Sequence, residues 1–201
     1  MEKDSYQEFY LEHQRQKAEL LNDARKDGRT FLDVLCNRRS QRVFTTRRVE
    51  TGTLVHILSY ANLAPSSCNR QAVWIELIGD RQRIKSLSLY LVGGKDWLSD
   101  APCVLLLHAD MLAYKSPAER DFMPYLDIGV MVQTLYLVTE DIGLGGCYVN
   151  PNIKPENLER FKEAFPQRDS FLFGGAFALG HYDLKALVPL QRASVQWKEN
   201  Q

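Results

Sequence analysis

The 201-residue chain lacks most of the motifs from which a function is commonly read. Its four cysteines, Cys36, Cys68, Cys103 and Cys147, are far apart and form no CxxC pair, so neither a zinc ribbon nor a dithiol motif is written in them. There are only four histidines and no HExxH, and no metal site is expected. Neither GxGxxG nor GxxxxGK[ST] occurs, which disfavours a Rossmann dinucleotide site and a P-loop. Ser66 and Ser67 lie outside any GxSxG, and Cys68 has no histidine partner by local pattern, so nucleophilic catalysis finds no support. No stretch reaches the roughly 18–20 uninterrupted apolar residues of a membrane span. The opening MEKDSYQEF has no apolar core and does not read as a signal peptide. An excess of one charge is missing too: 25 Lys and Arg stand against 25 Asp and Glu, so bulk charge points to no nucleic acid and no membrane. Scattered thiols fit a reducing, cytoplasmic setting.

What is present is an apolar fraction of 45%, enough for one folded domain with a real core. Residues 5–27 have helical composition and a thin apolar face (Tyr6, Phe9, Tyr10, Leu20, Leu21, Ala24), as expected of a helix on the outside of a body or on a partner chain. A helix over 29–38 would turn Phe31, Leu32 and Leu35 inwards. Another is expected over 51–64, capped by Thr51 or Thr53, with Leu54, Ile57, Leu58 and Leu63 inside. Strands are expected at 73–79 and 102–108; the run VLLL marks the second as central. Between them a helix is followed by a loop through Gly93 and Gly94. Residues 124–142 form the clearest helix, apolar on most sides and so central or in an interface. GLGG at 143–146 ends it, with Gly143 as C-cap, and a strand begins at Cys147. A short helix over 155–165 and a glycine-broken strand region over 171–182 precede an extended tail. This order describes an α+β or three-layer α/β protein.

Three segments carry candidate chemistry. NRRSQR places Arg38, Arg39, Ser40 and Arg42 between a helix end and an extended segment; it is either a solvated basic surface or an anion site. APSSCNRQ concentrates Pro65, Ser66, Ser67, Asn69 and Gln71, either as a rigid loop for the edge of a planar heterocycle or as an ordinary capped turn. GLGG either admits backbone amides close to a flat ligand or simply stops a helix. Local spacing settles none of the three.

Taken in order, RRSQRVF, APSSCNRQAVW, APCVLLLHAD, DIGVMVQTLYLVTEDIGLGGCYV and ALGHY resemble the FMN-dependent nitroreductase family from about residue 30 to 182. The resemblance implies an α+β, three-layer sandwich with a central, mainly antiparallel sheet flanked by helices, in an intertwined homodimer with shared active sites. It implies a helical arm at 1–27, an FMN-binding domain at 28–182 and a dimer-embracing extension at 183–201. It implies that Arg38, Ser40 and Arg42, with Arg39 beside them, hold the FMN phosphate and ribityl chain. Pro65, Ser66, Ser67, Asn69 and Gln71 would line the flavin from the partner subunit. Gly145 and Gly146 would approach its ring, and Arg192 would complete the phosphate site. NADH or NADPH would reduce FMN by hydride transfer, then give way to a small electron-poor acceptor such as a nitroaromatic or quinone, with no catalytic side chain required. A flavin enzyme specialised for a biosynthetic or secondary-metabolite substrate, or a non-enzymatic flavin binder, are the alternatives. The chain departs from the family in NRQAVW, where Ala72 stands in place of a common Pro and Val73 precedes Trp74. It departs also in PLQRAS around Arg192 and in the region 111–125, which would shape the substrate mouth.

Overall fold

A computed structural model describes residues 30–183. The helix expected over 5–27 and the tail bearing Arg192 lie outside the described residues. In chain order the elements are α1 (Phe31–Asn37), α2 (Thr51–Ala61), β1 (Val73–Ile78), α3 (Arg81–Tyr90), β2 (Cys103–Asp110), α4 (Pro117–Asp141), β3 (Gly145–Val149), α5 (Leu158–Ala164) and β4 (Phe171–Gly180).

The strands form one sheet in the order β1-β2-β4-β3, and every pairing is antiparallel. β2 is central and buried on both faces, as its unbroken apolar run requires. Its side chains alternate between two cores. Cys103, Leu105, Leu107 and Ala109 join Leu54 and Ile57 of α2 and Ile128, Met131 and Leu135 of α4 on one face. Val104 and Leu106 join Ile84 and Leu87 of α3 and Phe161 of α5 on the other. Helices therefore cover both faces of an antiparallel sheet. β4 is one strand and not a broken region: its glycines produce a bulge opposite Leu106–His108, where Gly175 takes φ +102°, and pairing resumes beyond it.

α4 starts seven residues before the expected Pro124. Ser116 caps it through a reciprocal box with Glu119, and Pro117 occupies the first turn, where a missing N–H costs nothing. Pro124 then sits buried inside the helix. At its other end the Leu144 N–H bonds Thr139 O at 2.9 Å and the Gly143 N–H bonds Glu140 O at 3.1 Å. This is a Schellman closure, with Gly143 at φ +77°. By length and composition α4 is the one described helix that meets the requirement for crossing a membrane; here it lies against the sheet.

Two further expectations are corrected. α2 is preceded by Glu50, without a side-chain cap bond, and not by Thr51 or Thr53. Phe31 and Leu32 of α1 are each 65% exposed and Leu35 is 42% exposed; Val34 alone is buried. A seven-residue helix resting on α4 turns one line of side chains to the body, and the apolar residues on its other sides stay uncovered among the described residues.

Candidate functional site

Residues 38–42 run along the free edge of β3. Ser40 bridges Gly146 in parallel, and the Gln41 N–H donates to Gly146 O at 2.9 Å. Alternate residues of an extended segment share a face. Gln41 points inwards, 3% exposed, and its side-chain amide donates to Val43 O at 2.7 Å. Arg39 turns back, donating to Cys36 O at 2.7 Å and Arg38 O at 2.9 Å. Arg38, Ser40 and Arg42 share the opposite side. The Arg38 guanidinium stacks 4.8 Å above the Tyr136 ring, Ser40 Oγ lies 3.4 Å from the Tyr136 hydroxyl, and Arg42 stands 5.9 Å over Trp97. The basic run is thus a three-residue comb of donors, with Arg39 spent on the local backbone.

Gly145 and Gly146 are the first residues of β3, not a turn. Their missing side chains make room for protein. A Cβ on Gly145 would stand 2.5 and 2.7 Å from the Gln41 side chain, and one on Gly146 would stand 2.4 Å from the Phe177 ring. Gly145 lets the 38–42 segment lie close on the sheet edge, and Gly146 lets β3 close over the Phe177 ring.

Sequence reasoning missed Tyr136, which reads as one more apolar residue of α4. The available signal was its hydroxyl, since a tyrosine on a packed helix face needs a polar partner. Burial raises its pKa. Cys147 lies beside the same group; burial pushes its thiol up, and the Arg42 charge opposes that shift.

The 64–71 segment is also ordered, elsewhere. Cys68, Asn69 and Gln71 all take the left-handed backbone conformation, at φ 50°, 53° and 51°. Non-glycine residues do so at a cost, and only when held. Ser66 Oγ accepts the Gln71 N–H at 2.9 Å, and the Gln71 side-chain amide donates to Asn69 Oδ1 at 3.3 Å. Asp127 of α4, 5% exposed, anchors the loop from below. Its Oδ1 accepts the Ser67 N–H at 2.9 Å and the Ser67 hydroxyl at 2.8 Å, while its Oδ2 accepts the buried Tyr114 hydroxyl at 2.9 Å. Arg70 pairs with Glu119 at 3.1 Å and lies 5.8 Å over the Tyr114 ring. Asn69 and Gln71 are left exposed at the tip. A small cavity lies between Pro65, Ser66, Gln71, Asp127 and Met131.

Within one chain the loop and the comb do not meet. Asp127 and Tyr136 are nine residues apart on one helix, about 13 Å along its axis. A larger cavity between Arg48, Leu54, Arg81, Asp100 and Cys103 contains none of the residues assigned to a cofactor in the sequence. No cluster of three or more metal-ligating side chains occurs among the described residues.

The nitroreductase family model matches residues 35–94 and 72–181. The chain belongs to the nitroreductase family. The FMN reductase [NAD(P)H] of Bacillus subtilis (strain 168) is 32% identical over 66% of this chain, and the match spans 60% of that enzyme's own length. A nitroreductase family protein from Streptococcus pneumoniae TIGR4 superposes with a TM-score of 0.72 at 19% identity, covering 84% of this chain and 100% of that one. An FMN-dependent nitroreductase from Clostridium difficile R20291 gives 0.67 at 23% identity, covering 76% and 88%. At those identities the two structures speak for the nitroreductase fold alone.

Proposed function

We propose that this nitroreductase-family chain is an FMN-dependent oxidoreductase that works as a homodimer. NADH or NADPH is its hydride donor, and a small electron-poor molecule such as a nitroaromatic or quinone is its acceptor. The comb of Arg38, Ser40 and Arg42 carries the reading. A phosphate offers only acceptor oxygens at its ionised positions, and the comb offers two guanidinium forks and a hydroxyl on one face. Neither guanidinium is ion-paired with a carboxylate among the described residues. Bound there, FMN would supply the hydride chemistry, which explains why the chain needs no nucleophile or acid–base pair of its own.

The loop at 65–71 fits the same reading in trans. Its Asn69 and Gln71 amides provide both donors and acceptors for the edge of a flavin ring, and the left-handed backbone fixes them before any ligand arrives. A second subunit is favoured by an uncovered apolar stripe. Phe122, Tyr125, Leu126 and Val130 of α4 are 52%, 53%, 56% and 37% exposed at helical spacing, and α1, which rests on α4, leaves Phe31, Leu32 and Leu35 uncovered among the described residues. The extension from residue 183, with Arg192 reaching the phosphate, belongs to this proposal through the family resemblance. Four free cysteines suit a reducing, cytoplasmic compartment.

Titration of flavin-free protein with FMN tests the reading. Arg38→Ala and Arg42→Ala should each weaken FMN at least tenfold, since charge-assisted bonds contribute about 1.5–3 kcal/mol. Unchanged affinity in both variants, or a wild-type protein that stays colourless in excess FMN, would overturn it.

A further inference from the structure

Tyr136 touches two of the three residues assigned to the phosphate. Its ring is the platform under the Arg38 guanidinium, and its hydroxyl lies 3.4 Å from Ser40 Oγ. The same hydroxyl oxygen accepts the backbone N–H of Tyr148 at 2.8 Å. That bond decides where the phenol's own proton goes. A tyrosine hydroxyl has one proton to give. With the N–H on its acceptor side, that proton is left for Ser40 Oγ or the Cys147 sulfur, which also lies at the hydroxyl. Sulfur is the weaker acceptor of the two. Ser40 Oγ is the better destination.

We infer that Tyr136 is the positioning residue of this anion clamp: by donating to Ser40 it turns the Ser40 proton outwards, onto the face shared with Arg38 and Arg42. The inference rests on the FMN reading above. The chain of bonds runs one way, from Tyr148 N–H to Tyr136, from Tyr136 O–H to Ser40, and from Ser40 O–H to a phosphate oxygen. A serine that instead kept its proton on the Tyr136 side would present lone pairs to an anion. Donor chains polarise one another, so each bond strengthens the next. The 3.4 Å separation is long for O–H···O, so the bond is a weak one that a small shift of either hydroxyl would tighten. The stacked Arg38 keeps its guanidinium edges free for the anion, because stacking uses the face of that group and not its N–H fork.

FMN and riboflavin share ring and ribityl chain and differ by the phosphate, so the pair isolates the clamp. Flavin-free protein is titrated with each, following flavin fluorescence, alongside a thermal melt. Tyr136→Phe retains the platform under Arg38 and removes the phenol proton. FMN should bind about tenfold more weakly, near 1.4 kcal/mol, with riboflavin affinity unchanged. Ser40→Ala should show the same selective loss, and the double variant should lose no more than Ser40→Ala alone. Equal losses for FMN and riboflavin, or losses that add in the double variant, overturn the positioning role. If Arg38→Ala and Arg42→Ala weaken FMN while Tyr136→Phe does not, this inference fails and the FMN reading stands; if no variant alters FMN binding, the FMN reading itself fails. Should Tyr136→Phe not fold, 3,5-difluorotyrosine at 136 preserves the shape and makes the phenol more acidic. FMN, and not riboflavin, should then dissociate at an alkaline pH where the wild type retains it. An unchanged pH profile overturns the inference.

Discussion

Replacing Asp127 by alanine should cost this fold several kcal/mol, on the order of a buried polar cluster losing its centre. Three donors converge on one carboxylate: the Ser67 N–H at 2.9 Å, the Ser67 hydroxyl at 2.8 Å and the Tyr114 hydroxyl at 2.9 Å. Tyr114 is fully buried, so its hydroxyl finds no water when the carboxylate goes. Leaving a buried donor unsatisfied costs about 1–3 kcal/mol. That one donor, with the two lost Ser67 bonds at about 1 kcal/mol each, sums to roughly 3–5 kcal/mol. At about 2–4 °C per kcal/mol for a chain of this length, Tm should fall by roughly 6–20 °C. The three left-handed residues of the loop would lose their anchor at the same time. Asp127→Asn retains one acceptor oxygen for Ser67, and the Tyr114 hydroxyl can rotate to accept from the new amide; it should cost only about 1–2 kcal/mol. Circular-dichroism melts and urea titrations of both variants measure the difference, with an unchanged m value showing that stability alone has moved. An Asp127→Ala protein melting within about 2 °C of the wild type, or an asparagine variant as damaged as the alanine one, would refute the three-donor account.

Gly146→Ala forces a methyl to within 2.4 Å of the fully buried Phe177 ring, and should lower the urea-derived stability by about 1–3 kcal/mol; wild-type stability would show that Phe177 has room to move. His108 and His181 both have pKa values lowered by burial; the Gln167 bond and Glu76 oppose the shift at His108, while at His181 Arg47 adds to it and Glu50 opposes it. A histidine that prefers to be neutral in the folded state contributes stability that is complete above its unfolded pKa, about 6.5, and is lost as pH falls below it. Stability should therefore decline on acidification from about pH 6.5, and His108→Gln should flatten part of that slope; an identical pH dependence in the variant would contradict the burial argument. Leu126→Glu puts a charge in the middle of the exposed α4 stripe and should shift the light-scattering mass from two chains to one; a wild-type mass near one chain would reject the stripe as an interface.

Much of this was legible in the residues because the physics was local. The apolar run of β2 announced a strand covered on both faces, and Gly143 announced a helix end that only a left-handed residue closes neatly. What stayed hidden depended on the third dimension. The two turns of helix added before Pro124 hang on the Ser116–Glu119 box, which looks like loop until its reciprocal bonds are seen. Gly145 and Gly146 read as space for a ligand because sequence cannot show that Gln41 and Phe177 fill that space. The outward set of Phe31, Leu32 and Leu35 was misread because periodicity reports an apolar side chain without saying which body covers it. The split of Arg38, Ser40 and Arg42 from Arg39 follows from alternation once the segment is known to be extended, and Tyr136 emerges only when α4 is laid against it.

The placement of Asp127 and Tyr136 on one helix has a genetic consequence. In the proposed dimer, damage at Asp127 spoils the loop that a subunit lends to its neighbour, while damage at Tyr136 spoils the clamp that the subunit keeps. A mixed dimer of the two mutants then contains one site with both lesions and one with neither. Two alleles that each fail alone should complement when expressed together, recovering one intact site per mixed dimer.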